Sequence, residues 1–172
     1  MRWLWIDRVV ELVPREKLVA VKGISLAEEH LHDHFAAEGD LAPLPVMPAS
    51  LIVEGMAQSA GILVGHAGDF QEKVLLAKVS RAEITADPVP GYTLRHTATL
   101  THYDAAGASC KGVVELIDPA APEADPTPIA EIDLMFAHAD NNMSGIELPE
   151  GNFVFSESFR TLLRSSGIAT DF

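Results

Sequence analysis

The run PVMPASLIVEGMAQSAGILVG, Pro45 to Gly65, constrains this chain more than any other stretch. Pro48 suits a first helical turn, and Gly65 and Gly68 bracket a stop, so the pattern predicts a helix over Pro48–Gly65. Leu51, Ile52, Val53, Met56, Ala57, Ala60, Ile62, Leu63 and Val64 cover most of its circumference. A helix apolar nearly all round must be enclosed on nearly every side. It is a poor membrane span, because Glu54, Gln58 and several glycines interrupt it. Glycine inside a helix costs roughly 1 kcal/mol relative to alanine. The small residues Gly55, Ala57, Ala60 and Gly61 therefore let another backbone come close.

The flanks supply the enclosure. Trp3–Leu12 and Lys17–Ile24 read as strands before the helix. After it, Val74–Ile84 and Thr93–Asp104 read as strands joined by a turn at DPVPGY. SCKGVVELID and Ile129–Asp140 follow as further strands, separated by the Pro- and acid-rich loop Asp118–Pro128. Successive strands with short turns exclude a parallel α/β sheet. The expected fold is α+β, an antiparallel β-sheet meandering around a long central helix. Residues 1–140 form that domain. Residues 141–172 form a C-terminal extension whose short amphipathic helix aligns Phe155, Phe159, Leu162 and Leu163, with Gly167 as its stop.

Composition narrows the function. A formal net charge of −13 argues against bulk nucleic-acid or anionic-membrane partners. The N-terminus is too short and too charged for a signal peptide. Cys110 is the sole cysteine, so no intrachain disulfide forms and a reducing, cytoplasmic setting is expected. An acidic partner would need a local basic patch, and Lys73, Lys78 and Arg81 cluster in one segment.

Two features carry chemistry. His30, His32 and His34 alternate, so an extended segment would turn all three one way. His32, His34 and Glu38 fit the H-x-H-x-x-x-E spacing of cupin metal sites, but no glycines stand where the flanking turns need them. No metal is expected. Glu54 is the stronger signal. A carboxylate among Leu51, Ile52, Val53 and Met56 needs a partner, a proton or a cavity. Ser50, Glu54, Gln58 and Gly61 fall on one helical stripe, continued by Gly65, which describes a pocket wall with an acid near its mouth. A buried glutamate that simply bonds a backbone group or an arginine is the plainer alternative.

The same residues resemble the β-hydroxyacyl-(acyl-carrier-protein) dehydratase family, FabZ/FabA-like, which has the hotdog fold. WLWIDRVVEL resembles its opening strand, and His34-Phe35 its H-F-P. PVMPASLIVEGMAQSAG resembles its P-v-M-P-G-x-L-i-x-E-a-m-A-Q-x-x-G. ADPVPGYTL and IAEIDLMFA resemble its later V-x-P-G-D-x-L and its closing strand. The resemblance covers about residues 3 to 138 and implies dehydration of 3-hydroxyacyl thioesters to trans-2-enoyl thioesters. It implies His34 as the base, Glu54 as the acid, and Gln58 as support. Ala49 would offer its N–H to the thioester oxygen, with Val46 and Met47 beside it. It implies no cofactor, an acyl-carrier-protein or CoA thioester substrate, and a homodimer with shared active sites, open to assembly as a trimer of dimers.

The implied roles suit the residue types. An imidazole, with an ordinary pKa of about 6.5, is a fitting base for the C2 proton. A carboxyl group in an apolar setting can protonate the leaving hydroxyl. The helix N-terminus offers unpaired N–H groups for the enolate-like oxygen. Departures from the pattern are Ala36 for the proline, Ala49 for the glycine, Tyr92 for an aspartate, and extra residues within AAEGDLAPL that lengthen the span from His34 to Glu54. A hotdog acyl-thioesterase and a non-catalytic acyl-binding hotdog dimer are the alternative functions.

Overall fold

A computed structural model describes residues 3–139 and 156–170. Its order is β1 (Arg8–Val13), β2 (Lys17–Gly23), α1 (Glu29–His32), α2 (Ala49–Ala67), β3 (Lys73–Ile84), β4 (Thr93–Tyr103), β5 (Gly107–Ile117), β6 (Thr127–Ala139) and α3 (Glu157–Ser165). The central helix thus starts one residue after Pro48 and runs two past Gly65, with Gly68 closing it. Six antiparallel strands in the order β1-β2-β4-β5-β6-β3 wrap around it. Ile52, Met56, Ala60, Ile62 and Leu63 are fully buried, and β2, β3, β4, β5 and β6 all touch α2. Each such large side chain removed from water contributes roughly 1.5–3 kcal/mol. Enclosure of the helix is therefore the main source of stability.

Three expectations are corrected. The strands after α2 are not one meander: β3 pairs with β6 at the far edge, and only β4, β5 and β6 follow one another. The segment DPVPGY is no hairpin turn, because its prolines lack the N–H groups a tight ladder needs. It crosses to the other side of the sheet, where its Pro88 carbonyl accepts from Met47 N–H (2.8 Å) and its Tyr92 carbonyl from Ile24 N–H (2.9 Å). The first strand is also shorter than Trp3–Leu12. Trp3 and Trp5 leave the sheet because Gln58 takes the Trp3 carbonyl and the Trp5 N–H.

The segment before α2 is fastened by a buried cation. Lys22, only 5% exposed, pairs with Glu28 and with Asp7 (3.4 Å), and donates to the Gly23 carbonyl at 2.8 Å. This neutralises the ammonium and anchors α1, whose Leu31 is fully buried. The C-terminal helix joins the same core. Leu162 and Leu163 are buried in it, α3 packs on β1, and the Ser166 hydroxyl accepts a hydrogen bond from Val9 N–H at 3.0 Å. Gly167, at φ 77°, ends α3 as expected, and Phe155 lies outside the described residues.

Gly55 shows why α2 carries glycine. A Cβ there would stand 2.8 Å from His96 Nε2 and 2.9 Å from the Trp5 carbonyl. His96 on β4 is fully buried, and burial pushes its imidazole down to about 4, opposed by the Ile52 backbone and aided slightly by Lys22. Gly55→Ala is expected to lower stability by about 1–3 kcal/mol through overpacking, read by denaturant titration. Unfolded His96 binds a proton near its ordinary pKa while the folded form does not, so stability falls as pH drops from about 6.5 towards 4. Between pH 7 and pH 5 this loss is about 2 kcal/mol, and His96→Leu should remove it from the pH–stability curve.

Candidate active site

Glu54 is half-buried on α2, and its Oε1 accepts a hydrogen bond from Gln58 Nε2 at 2.9 Å. The two lie one turn apart, on the stripe read from the sequence. Gln58 is 7% exposed and fully committed. Its Oε1 accepts from Trp5 N–H (2.8 Å), and its Nε2 also donates to the Trp3 carbonyl (3.0 Å). The Trp5 N–H can only donate, which fixes the orientation of the amide and aims an N–H at Glu54. Glu54, Gln58 and Gly61 then form one wall of a cavity of about 200 Å3, with Leu76 of β3 and Phe136 of β6 on other sides. Among the described residues its lining is apolar apart from Glu54 and Gln58. Ser50 and Gly65, at the two ends of the stripe, do not line it.

The three histidines do not share a face, because Glu29–His32 is a helical turn and not an extended segment. His30 stacks edge-on against Trp5 (5.1 Å between rings) and lies 3.5 Å from Glu28. His32 is exposed beside Asp33. His34 is half-buried and its Nδ1 lies 2.7 Å from the Leu31 carbonyl. A carbonyl only accepts, so the Nδ1–H donates to it and Nε2 is left out of that contact. Among the described residues no group of three metal-ligating side chains gathers.

The extra residues between His34 and α2 fold back on themselves. Phe35 bridges Leu44 and Glu38 bridges Leu41, with hydrogen bonds Leu44 N–H to the Phe35 carbonyl (3.0 Å) and Leu41 N–H to the Glu38 carbonyl (3.0 Å). Gly39, at φ 59°, makes the turn in the left-handed region where glycine is unstrained. The insertion is thus a finger whose base brings Phe35 back beside Leu44. The path from His34 to the helix stays short despite the added length. Phe35, Leu41 and Leu44 are exposed on it.

At the end of the finger, Val46 is half-buried and Met47 is 1% exposed in the core, pinned by its bond to Pro88. Ala49 is the first residue of α2 and exposed, with its N–H among those a helix leaves without an internal acceptor. Among the described residues no hydrogen bond joins His34 to Glu54 within one chain. The proposed basic patch is also weaker than its residues suggest. Arg81 lies between Glu83 (2.7 Å) and Glu131 (2.6 Å), which neutralise it.

Sequence reasoning missed the backbone of Trp3 and Trp5, which no side-chain pattern signals. It also missed His96, although the alternation of Leu94, His96 and Ala98 turns all three to the helix. Phe136 and Phe159 went unassigned because only folding brings β6 and α3 to Glu54.

The sheet-wrapped helix is a hotdog fold. Among solved structures it is similar to the dehydratase heterocomplex ApeI:P from Xenorhabdus doucetiae, with TM-score 0.60 and 15% identity over 80% of this chain and 84% of that one. It is also similar to a thioesterase family protein from Silicibacter pomeroyi, with TM-score 0.58 and 10% identity over 76% and 82%. Residues 1–109 match the FabA-like domain, and the chain belongs to that family. It is 31% identical over 150 residues to a 3-hydroxyacyl-[acyl-carrier-protein] dehydratase FabZ of Solibacter usitatus, covering 86% of this chain and 83% of the relative. A FabZ of the same description from Acidiphilium cryptum is 40% identical over 96 residues, 54% of each chain.

Gln58→Leu would leave the Trp5 N–H and the Trp3 carbonyl without their partner. An expected loss of about 1–3 kcal/mol in stability, read by thermal or denaturant unfolding, checks this bridge.

Proposed function

We propose that this protein is a hydro-lyase that dehydrates 3-hydroxyacyl thioesters, on an acyl carrier protein or CoA, to trans-2-enoyl thioesters. The observation that carries the reading is the polar thread at the wall of an otherwise apolar cavity, in which Gln58 holds Glu54. FabA-like membership and the FabZ relatives support it. In this mechanism His34 Nε2 takes the C2 proton, and the electron pair forms the C2–C3 double bond through an enolate-like thioester. Glu54 gives its proton to the C3 hydroxyl, which leaves as water. The Ala49 N–H stabilises the developing charge on the thioester oxygen, where the positive end of the α2 dipole adds to it. Gln58 positions Glu54 from the wall of the same cavity. Val46 and Met47 shape the approach to the helix N-terminus.

His34 and Glu54 then meet between two copies of the chain, one contributing each group. The edge of β3 supports a homodimer: among the described residues it has one strand neighbour, and Leu76 and Val79 are 43% and 40% exposed. An acyl-CoA substrate gains weight from the neutralised Arg81, since an acidic carrier would meet little net positive charge there. The protein works in the cytoplasm, in keeping with the single buried Cys110.

Turnover of a 3-hydroxybutyryl thioester, followed as enoyl absorbance, tests the reading. His34→Ala and Glu54→Gln should each lose about 10²–10⁴-fold in kcat with the fold intact. Full activity in either folded variant removes that residue from the mechanism. Thiol released without enoyl product would make the protein a thioesterase. Saturable binding without turnover would make it an acyl-binding module.

A further inference from the structure

The C-terminal helix reaches the cavity that holds Glu54, although it lies beyond the residues matched by the family model. Phe159 lines that cavity together with Glu54, Gln58, Gly61, Leu76 and Phe136. It stands three residues before Leu162, on the same face of α3. Leu162 is 5% exposed and Leu163 fully buried, and the Val9–Ser166 hydrogen bond ties the end of the helix to β1. Ile168 packs against the same core. The Phe159 ring therefore sits on a fastened helix, and moving it with α3 would uncover two buried leucines.

We propose that α3 sets the upper limit of acyl-chain length in this cavity, with Phe159 as a specificity-determining residue, so that short-chain 3-hydroxyacyl thioesters are the substrate class. The inference rests on the dehydratase reading of the same cavity. A volume of about 200 Å3 is on the scale of a cavity of about 150 Å3 that holds one benzene, so roughly six to eight carbon-sized groups fit it. An acyl group of about four to six carbons fits that space. A longer chain meets Phe159 and Phe136. The sheet order explains the need for the helix. The wrap ends in two edges, β1 and β3, and α3 packs on β1 while its Phe159 shares a cavity with Val74 and Leu76 of β3.

The test measures kcat/KM of the full chain on 3-hydroxyacyl-pantetheine thioesters of four, six, eight and ten carbons. Wild type should fall off beyond six. Phe159→Ala should raise the ratio of eight-carbon to four-carbon activity by about tenfold or more, the discrimination a single methylene commands in an apolar pocket. Phe159→Trp should lower activity on six and eight carbons while sparing four. Phe159→Leu retains an apolar side chain on α3 and replaces the alanine variant if that one does not fold. An unchanged length profile in a folded variant overturns the proposal, as does a wild type that prefers ten carbons. If no length yields enoyl product, the dehydratase reading fails, and the length limit is then read from binding alone. Saturated acyl-pantetheines titrated against the fluorescence of Trp3 and Trp5 should bind tightest at a greater length in Phe159→Ala, and an unchanged series overturns the limit.

Discussion

A helix with no continuous polar face cannot rest on a surface. α2 must be covered from every side, and that requirement organises the rest of the molecule. The sheet curls until β2, β4, β5, β6 and β3 all reach the helix. Packing this close needs places where the helix has no side chain. At Gly55 the space is taken by His96 and the Trp5 carbonyl, so one glycine admits both a strand side chain and a stretch of backbone.

The cover leaves one polar thread. Glu54 and Gln58 stand on a side of α2 that the sheet does not close, and Gln58 spends every hydrogen-bonding group it has on Glu54, Trp3 and Trp5. A glutamine so committed is rigid, and it holds the Glu54 carboxylate in one place. The thread also couples two jobs. The amide that orients Glu54 is the same one that draws the N-terminal segment out of the sheet and over the helix. Site geometry and folding stability are therefore linked at Gln58. His34 is held separately, through the Leu31 carbonyl and the Lys22–Glu28 contact that anchors α1.

Much of the fold was legible because the signals were local and strong. Pro48 and Gly68 mark the ends of α2, Gly167 marks the end of α3, and the stripe of Glu54, Gln58 and Gly61 needs only helical spacing to be seen. The strand pairing was misread because adjacency in sequence is a weak guide when a connection contains prolines. Pro88 and Pro90 cannot ladder, so the link between β3 and β4 runs as a crossover. The alternation of His30, His32 and His34 misled in the other direction, since alternation means a shared face only if the segment is extended. The buried Leu31 draws it into a helical turn instead.

The sequence by itself determined that an apolar helix bearing one carboxylate lies inside an antiparallel wrap, because hydrophobic periodicity and turn chemistry act over a few residues. It also singled out His34, Glu54 and Gln58 through motif order. Tertiary structure alone decided that the insertion after His34 closes into a finger, that Gln58 grips the Trp3–Trp5 backbone, and that Phe159 joins the cavity of Glu54. Those contacts join residues up to about a hundred positions apart, or depend on backbone groups that every residue carries. No local pattern can encode them, and they are settled only when the whole sheet closes on α2.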